Sequence, residues 1–153
     1  MTDVIVLAMH GAPPTDFPTG ETAELFTLHF QLEHMPKGVR PDLEARYAGL
    51  EEKMRHWPRC ETNDPFYAGS MELADQLRLA TGRQVILGFN EFCAPSLEQA
   101  LAEAANLAPE RVVVVTPMMT RGGEHSEVDI PTAVRLAQEG HPEISFVYVW
   151  PFD

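Results

Sequence analysis

Basic residues are scarce in this chain. Eleven lysines and arginines stand against 23 aspartates and glutamates, a formal net charge of −12. Nucleic acids and anionic membrane surfaces both recruit basic patches, so this balance argues against either partner. It leaves room for an anionic small ligand, because distant charge is screened beyond about 8 Å. Long apolar runs are missing too. The stretch that begins at Val4 stops at Met9, well short of the roughly 20 residues that span a membrane, and no basic leader precedes it. A cytoplasmic protein is the expectation. Cysteine is nearly absent: Cys60 and Cys93 form no C-x-x-C and give no disulfide framework, so both are expected as buried thiols. There is no G-x-G-x-x-G, no Walker loop and no G-x-S-x-G, which removes support for the usual nucleotide and hydrolase readings. No internal repeat, linker or low-complexity tract interrupts the chain.

What is present suits one globular domain over residues 1–153. Hydrophobic residues make up 44% and charged residues 22%, ordinary values for a chain with a real core. Val4–Met9 is apolar without helical spacing and fits a central strand buried on both faces. His10-Gly11-Ala12-Pro13-Pro14 ends it. Thr22–Met35 is helix-like. Pro41 opens a better helix, with Leu43, Tyr47, Leu50 and Met54 on one face and Trp57-Pro58 beyond its end. Pro65–Thr81 is helical and stops at Gly82. Gln84–Phe89 reads as the second strand. Ser96 and Gln99 form a capping box for a helix whose inward face is Leu97, Ala100, Leu101 and Ala104. Arg111–Thr116, with four consecutive valines, is a third strand expected to be buried on both faces. Asp129 is expected to cap the last helix, with Ile130, Ala133, Val134 and Ala137 inward and Gly140 at its end. Ile144–Trp150 is the last strand. The alternation predicts an α/β three-layer sandwich, a four-stranded parallel sheet with right-handed crossovers and helices on both faces.

Ligands of such sheets gather beyond the carboxyl ends of the strands. Three candidates lie there. His10 follows the first strand, and its imidazole could accept a proton near neutral pH or bind a divalent metal; the plain alternative is a histidine hydrogen-bonded in a turn. His125 follows Gly122-Gly123, where the backbone can turn tightly, and Glu124 and Glu127 flank it; the alternative is a solvated acidic loop. Glu91 ends the second strand and would face the same crevice, unless it is simply a surface acid. Met118 and Met119 could floor an apolar pocket or fill core. Arg121 could pair with a ligand carboxylate or stay solvated, and Gly123 allows close backbone approach. His29, His34, His56 and His141 show no ligand spacing, and His56 with Cys60 lacks a second pair for zinc.

Taken together these residues resemble a family. His10-Gly11 after the first strand, followed much later by Pro117-x5-Gly123-x-His125-x3-Asp129-Ile130-Pro131, is similar to the class II tetrapyrrole chelatases, above all the small sirohydrochlorin cobaltochelatases. Glu91 with Ala94-Pro95-Ser96-Leu97 fits that pattern. PDLEARYAGLEEKM and NDPFYAGSMELADQL resemble the early part of protoporphyrin ferrochelatases. The resemblance implies insertion of cobalt, ferrous iron or nickel, as substrate, into a tetrapyrrole without ATP or an organic cofactor. It implies His10 and His125 as metal ligands, with Glu91 joining them in catalysis. The longer members of the family have two similar lobes around one cleft. A chain of one lobe's length implies a homodimer. Two departures stand out: residue 12 is Ala where the family often has Ser, and residues 15–64 form a longer segment than in the smallest members. They leave open a non-catalytic tetrapyrrole or metal carrier, and an interaction module built on the long segment.

Overall fold

The computed structural model describes residues 2–151. Four parallel strands run in the order β2-β1-β3-β4: β1 Asp3–Met9, β2 Gln84–Phe89, β3 Arg111–Val115 and β4 Ser145–Tyr148. β1 sits centrally and is buried along its whole length, which explains its uninterrupted apolar sequence. Its alternate side chains feed two cores. Val4, Val6 and Ala8 pack with Val112 and Val114 under α4 (Leu97–Asn106) and α5 (Ile130–Gly140). Ile5, Leu7 and Met9 pack with Val85, Leu87 and Phe89 under α3 (Pro65–Thr81). The predicted sandwich is therefore the observed one.

The long segment after β1 folds as a helical hairpin, α1 (Thr19–Glu33) and α2 (Pro41–Arg55). It closes on a third core of Phe17, Leu25, Leu28, Leu50 and Met54. The ion pairs Glu24–Arg46 and Glu21–Lys53, both 2.7 Å, tie its two helices. α1 starts three residues before the predicted Thr22, directly after Pro18, whose fixed φ suits the residue that precedes a helix.

Three expectations need correction. β3 is not buried on both faces: Val112 and Val114 are, but Val113 and Val115 are only half-buried, because α3 lies over β1 and β2. Cys93 is buried, but Cys60 is exposed. Asp129 makes no cap hydrogen bond; it lies inside a wide π-type turn, His125–Asp129, that precedes α5 and in which the Ile130 N–H donates to the His125 carbonyl. The capping box of α4 is present as read, with the Ser96 hydroxyl accepting from Gln99 N–H and the Gln99 side chain accepting from Ser96 N–H. Among the described residues no helix is long and apolar enough to cross a membrane.

Candidate metal centre

β1 carries the chain to one neighbour, β2, and the chain later returns to its other side as β3. That reversal opens a crevice at the carboxyl ends of the strands. His10 leaves β1 there, Glu91 leaves β2, and His125 arrives on the π-type turn after β3. Close approach of the first two loops is a matter of backbone. A Cβ on Gly11 would stand 1.6 Å from the Glu91 carbonyl oxygen, so only glycine fits. Asn90 N–H also donates to the Met9 carbonyl at 2.8 Å.

The side chains converge. His10 Nδ1 stands 3.3 Å from Glu91 Oε1, and His125 Nε2 stands 3.4 Å from the same oxygen. The imidazole rings meet edge to face, with centroids 4.7 Å apart. One ligand atom from each of His10, Glu91 and His125 lies within 4.8 Å of the others. Donor atoms around a tetrahedral first-row ion bound at about 2.0–2.2 Å are themselves roughly 3.3–3.6 Å apart. The cluster therefore needs little adjustment to close on one divalent ion. Two imidazoles and a carboxylate suit the borderline ions of the first row better than magnesium or calcium, which prefer all-oxygen sites.

Behind this group stands Asp129. Its Oδ2 accepts a hydrogen bond from His125 Nδ1 at 2.7 Å. With the Asp129 carboxylate as acceptor, that bond sets the tautomer and leaves the Nε2 lone pair on the side of Glu91 and the crevice. Wide helical turns recur at functional sites, and this one has a bond of its own to the sheet. Tyr148 of β4 donates its hydroxyl to the Ser126 carbonyl at 2.9 Å. Burial pushes the Tyr148 phenol up to about 12, so it remains a donor.

Two cavities flank His125. The larger, about 360 Å³, is walled by Phe26 and His29 of α1, by Tyr47 and Glu51 of α2 and by Phe92. Carboxylates from Glu33, Glu51, Glu91, Glu124 and Asp129 border it, and no lysine or arginine lines it. Such a rim favours a cation. Tyr47 donates to or accepts from His29 Nδ1 at 3.2 Å. Burial, then the Glu51 charge, raise its phenol above the usual range. The smaller cavity, about 330 Å³, shares His125 and Glu124 with the larger and is lined by Met118, Met119 and Gly123 together with His10.

Met118 is half-buried and also packs against the core under α5, while Met119 is 64% exposed. Arg121 is exposed and lines neither cavity. The hairpin residues Phe26, His29, Tyr47 and Glu51, and the carboxylate of Asp129, were not among the sequence candidates. For Asp129 a signal existed: His and Asp four apart share a helical face.

The sequence pattern of the CbiX family matches residues 63–153. No curated protein matches the chain. Among solved structures, the chain is similar to a cobalamin (vitamin B12) biosynthesis CbiX protein from Marinobacter aquaeolei VT8, with TM-score 0.52 and 14% identity over 97% of this chain and 80% of that one. At this identity the likeness speaks for the fold. A second similar structure is the sirohydrochlorin chelatase SirB from Bacillus subtilis subspecies spizizenii in complex with cobalt, with TM-score 0.49 and 15% identity over 99% of this chain and 44% of that one.

Proposed function

This chain belongs to the CbiX family of class II chelatases, and from that membership we propose that it inserts a divalent metal ion into a tetrapyrrole of the sirohydrochlorin type, without ATP. Cobalt and ferrous iron are the proposed metals, with nickel a third candidate. Convergence of His10, Glu91 and His125 on one ion-sized volume carries the reading.

Metal insertion asks for three things. The incoming ion must be held loosely enough to be handed on, so an incomplete ligand set is an advantage. Here three protein donors leave coordination positions open for the macrocycle nitrogens. Two pyrrole N–H protons must leave as the ion enters. Imidazole and carboxylate groups within reach of the ion can accept them, and Glu91, Glu124 and Asp129 lead outward along the larger cavity. The macrocycle must also pucker to expose its lone pairs, and a wall that binds the puckered form better than the flat one lowers that barrier. Met118, Met119 and Gly123 are the proposed substrate wall, with Arg121 at its margin for a side-chain carboxylate. Affinity alone does not choose cobalt, since nickel, copper and zinc bind such donors at least as tightly.

Residues 1–153 are proposed to act as one lobe in the cytoplasm, with a second copy completing the cleft. Each cavity is near the lower end of the roughly 300–1,000 Å³ usual for small-molecule pockets, so a macrocycle needs a further wall. Exposed apolar side chains, Val147 on β4, Val149 just after it and Phe30 on α1 among them, favour such pairing.

The test is optical. Purified protein with sirohydrochlorin and Co²⁺ or Fe²⁺ is expected to change the tetrapyrrole's visible spectrum far faster than metal and macrocycle alone. His10→Ala and His125→Ala are each expected to abolish the acceleration. An unaltered rate in the double variant would overturn the reading. Tight binding of macrocycle and metal without acceleration would instead identify a carrier, the reading favoured by Ala12 in place of a hydroxyl-bearing residue.

A further inference from the structure

Arg59 is an unexpected residue to find buried. Its side chain is 4% exposed, and it pairs with Asp64, which is 2% exposed. Asp64 has a second task, accepting from Tyr67 N–H at the start of α3. Replacing a buried ion pair with apolar residues is often neutral or stabilising, and Arg59 Nε has no hydrogen-bond partner among the described residues. Stability alone is a poor reason for this arginine.

Its other partners suggest a better one. Arg59 Nη1 donates to the Ala12 carbonyl at 2.6 Å. Nη2 donates to the Met54 carbonyl at 2.8 Å and to the Phe92 carbonyl. Ala12 is two residues beyond His10, and Phe92 directly follows Glu91. One planar guanidinium thus joins the end of α2 to the two loops that present His10 and Glu91. Arg55, the last residue of α2, grips the second loop as well: Nη1 donates to the Cys93 carbonyl at 2.9 Å and Nη2 to the Asn90 carbonyl at 3.2 Å.

That loop needs holding. Phe92 has φ of 59°, in the left-handed region that a bulky side chain avoids. Around it Cys93 N–H donates back to the Glu91 carbonyl at 2.7 Å, a tight three-residue turn. Such a conformation persists only where its surroundings over-determine it. Here the carbonyls of residues 90, 92 and 93 are all taken by guanidinium groups anchored on and just after α2.

We propose that Arg59, seconded by Arg55, is a positioning residue for the metal centre: it holds the strained Glu91 turn against the His10 loop so that the carboxylate and the imidazole meet at one ion. This inference rests on the His10–Glu91–His125 site as read above. Arg59 touches neither metal nor macrocycle; it acts through the backbone. A lysine would keep the charge beside Asp64 yet could not reach four acceptors in one plane.

Co²⁺ binding, followed by titration and by the visible ligand-field bands of the bound ion, tests it without turnover. Arg59→Lys is expected to melt cooperatively, to bind Co²⁺ about tenfold more weakly, and to show weaker bands as the Glu91 donor is misplaced. Leu101→Ala, which destabilises the core under α4, is expected to bind Co²⁺ as the unaltered protein does. Glu91→Gln alone is expected to cost a similar factor. The Arg59→Lys/Glu91→Gln pair should then cost well under the product of the two. A folded Arg59→Lys with unaltered affinity and bands overturns the proposal, and so does a full product in the double variant. Should Arg59→Lys fail to fold, Arg55→Lys decides by the same measurements, and unaltered binding there overturns it. Failure of the unaltered protein to take up Co²⁺ contradicts the site itself; uptake indifferent to the arginines contradicts this inference alone.

Discussion

Asp129 holds His125 by its back nitrogen, Oδ2 to Nδ1 at 2.7 Å, while the front nitrogen Nε2 faces Glu91. The two residues are four apart, at the two ends of the wide turn that precedes α5, and that turn is a bracket for one imidazole. A carboxylate in that position does for a metal-binding histidine what a helix cap does for backbone N–H groups: it removes the wrong alternatives.

Asp129→Ala should therefore weaken Co²⁺ binding by roughly 10–100-fold, the usual cost of losing such a carboxylate. Stability should hardly move, because Asp129 caps nothing and its side chain is 44% exposed. Titration together with a thermal melt checks both halves. A large drop in melting temperature with intact affinity would assign Asp129 to the helix instead.

Gly11 and Gly49 give a contrast in the same substitution. At Gly11 an added Cβ meets the Glu91 carbonyl, so Gly11→Ala must part the two ligand-bearing loops. We expect a stability loss of about 1–3 kcal/mol and loss of Co²⁺ binding. Gly49 lies on α2 with nothing within 4 Å of a built Cβ. Gly49→Ala should stabilise by up to about 1 kcal/mol and leave binding unchanged. Denaturant midpoints measured beside the titrations decide.

Acid sensitivity should be traceable to the start of β1. Asp3 accepts hydrogen bonds from Arg111 at 3.1 and 2.7 Å and pairs with Arg83 at 2.8 Å. The Arg111 hydrogen bonds, opposed by burial and aided by the charges of Arg111 and Arg83, lower its pKa. A carboxyl whose folded pKa lies below its unfolded value adds stability that is complete above the unfolded value and fades as pH falls through the folded one. Asp3→Asn should thus cost most at neutral pH and converge with the unaltered protein in strong acid. Urea unfolding across a pH series measures the gap. A constant gap would show that the carboxylate's charge is not what matters.

Much of this architecture was legible in the sequence because it rests on side-chain pattern. β1 betrays its central place through an unbroken apolar run. Ser96 and Gln99 mark the start of α4 by their own chemistry, and His10 and His125 stand out as imidazoles beside glycine at strand ends. What stayed hidden depends on backbone. Asp129 looks like a cap because an Asp before an apolar helix usually is one; the extra residue of a π-type turn leaves no trace in a 3.6-residue period. Val113 and Val115 read as buried because valine cannot say how far α3 extends over a sheet. Arg59 was invisible for the plainest reason: most of its partners are carbonyl oxygens, which every residue carries. The cavity wall of Phe26, His29 and Tyr47 depends on how the α1–α2 hairpin docks, and that follows from a core of its own rather than from any motif.

The most direct test of the central claim is a Co²⁺ titration of the unaltered protein beside His10→Ala, His125→Ala and the double variant, with imidazole ligation read by X-ray absorption at the cobalt edge. One ion per site with two imidazoles in its first coordination sphere is predicted, one imidazole fewer in each single variant, and no binding at that affinity in the double variant. Cobalt bound equally well by the double variant, or bound with no imidazole at all, would contradict it.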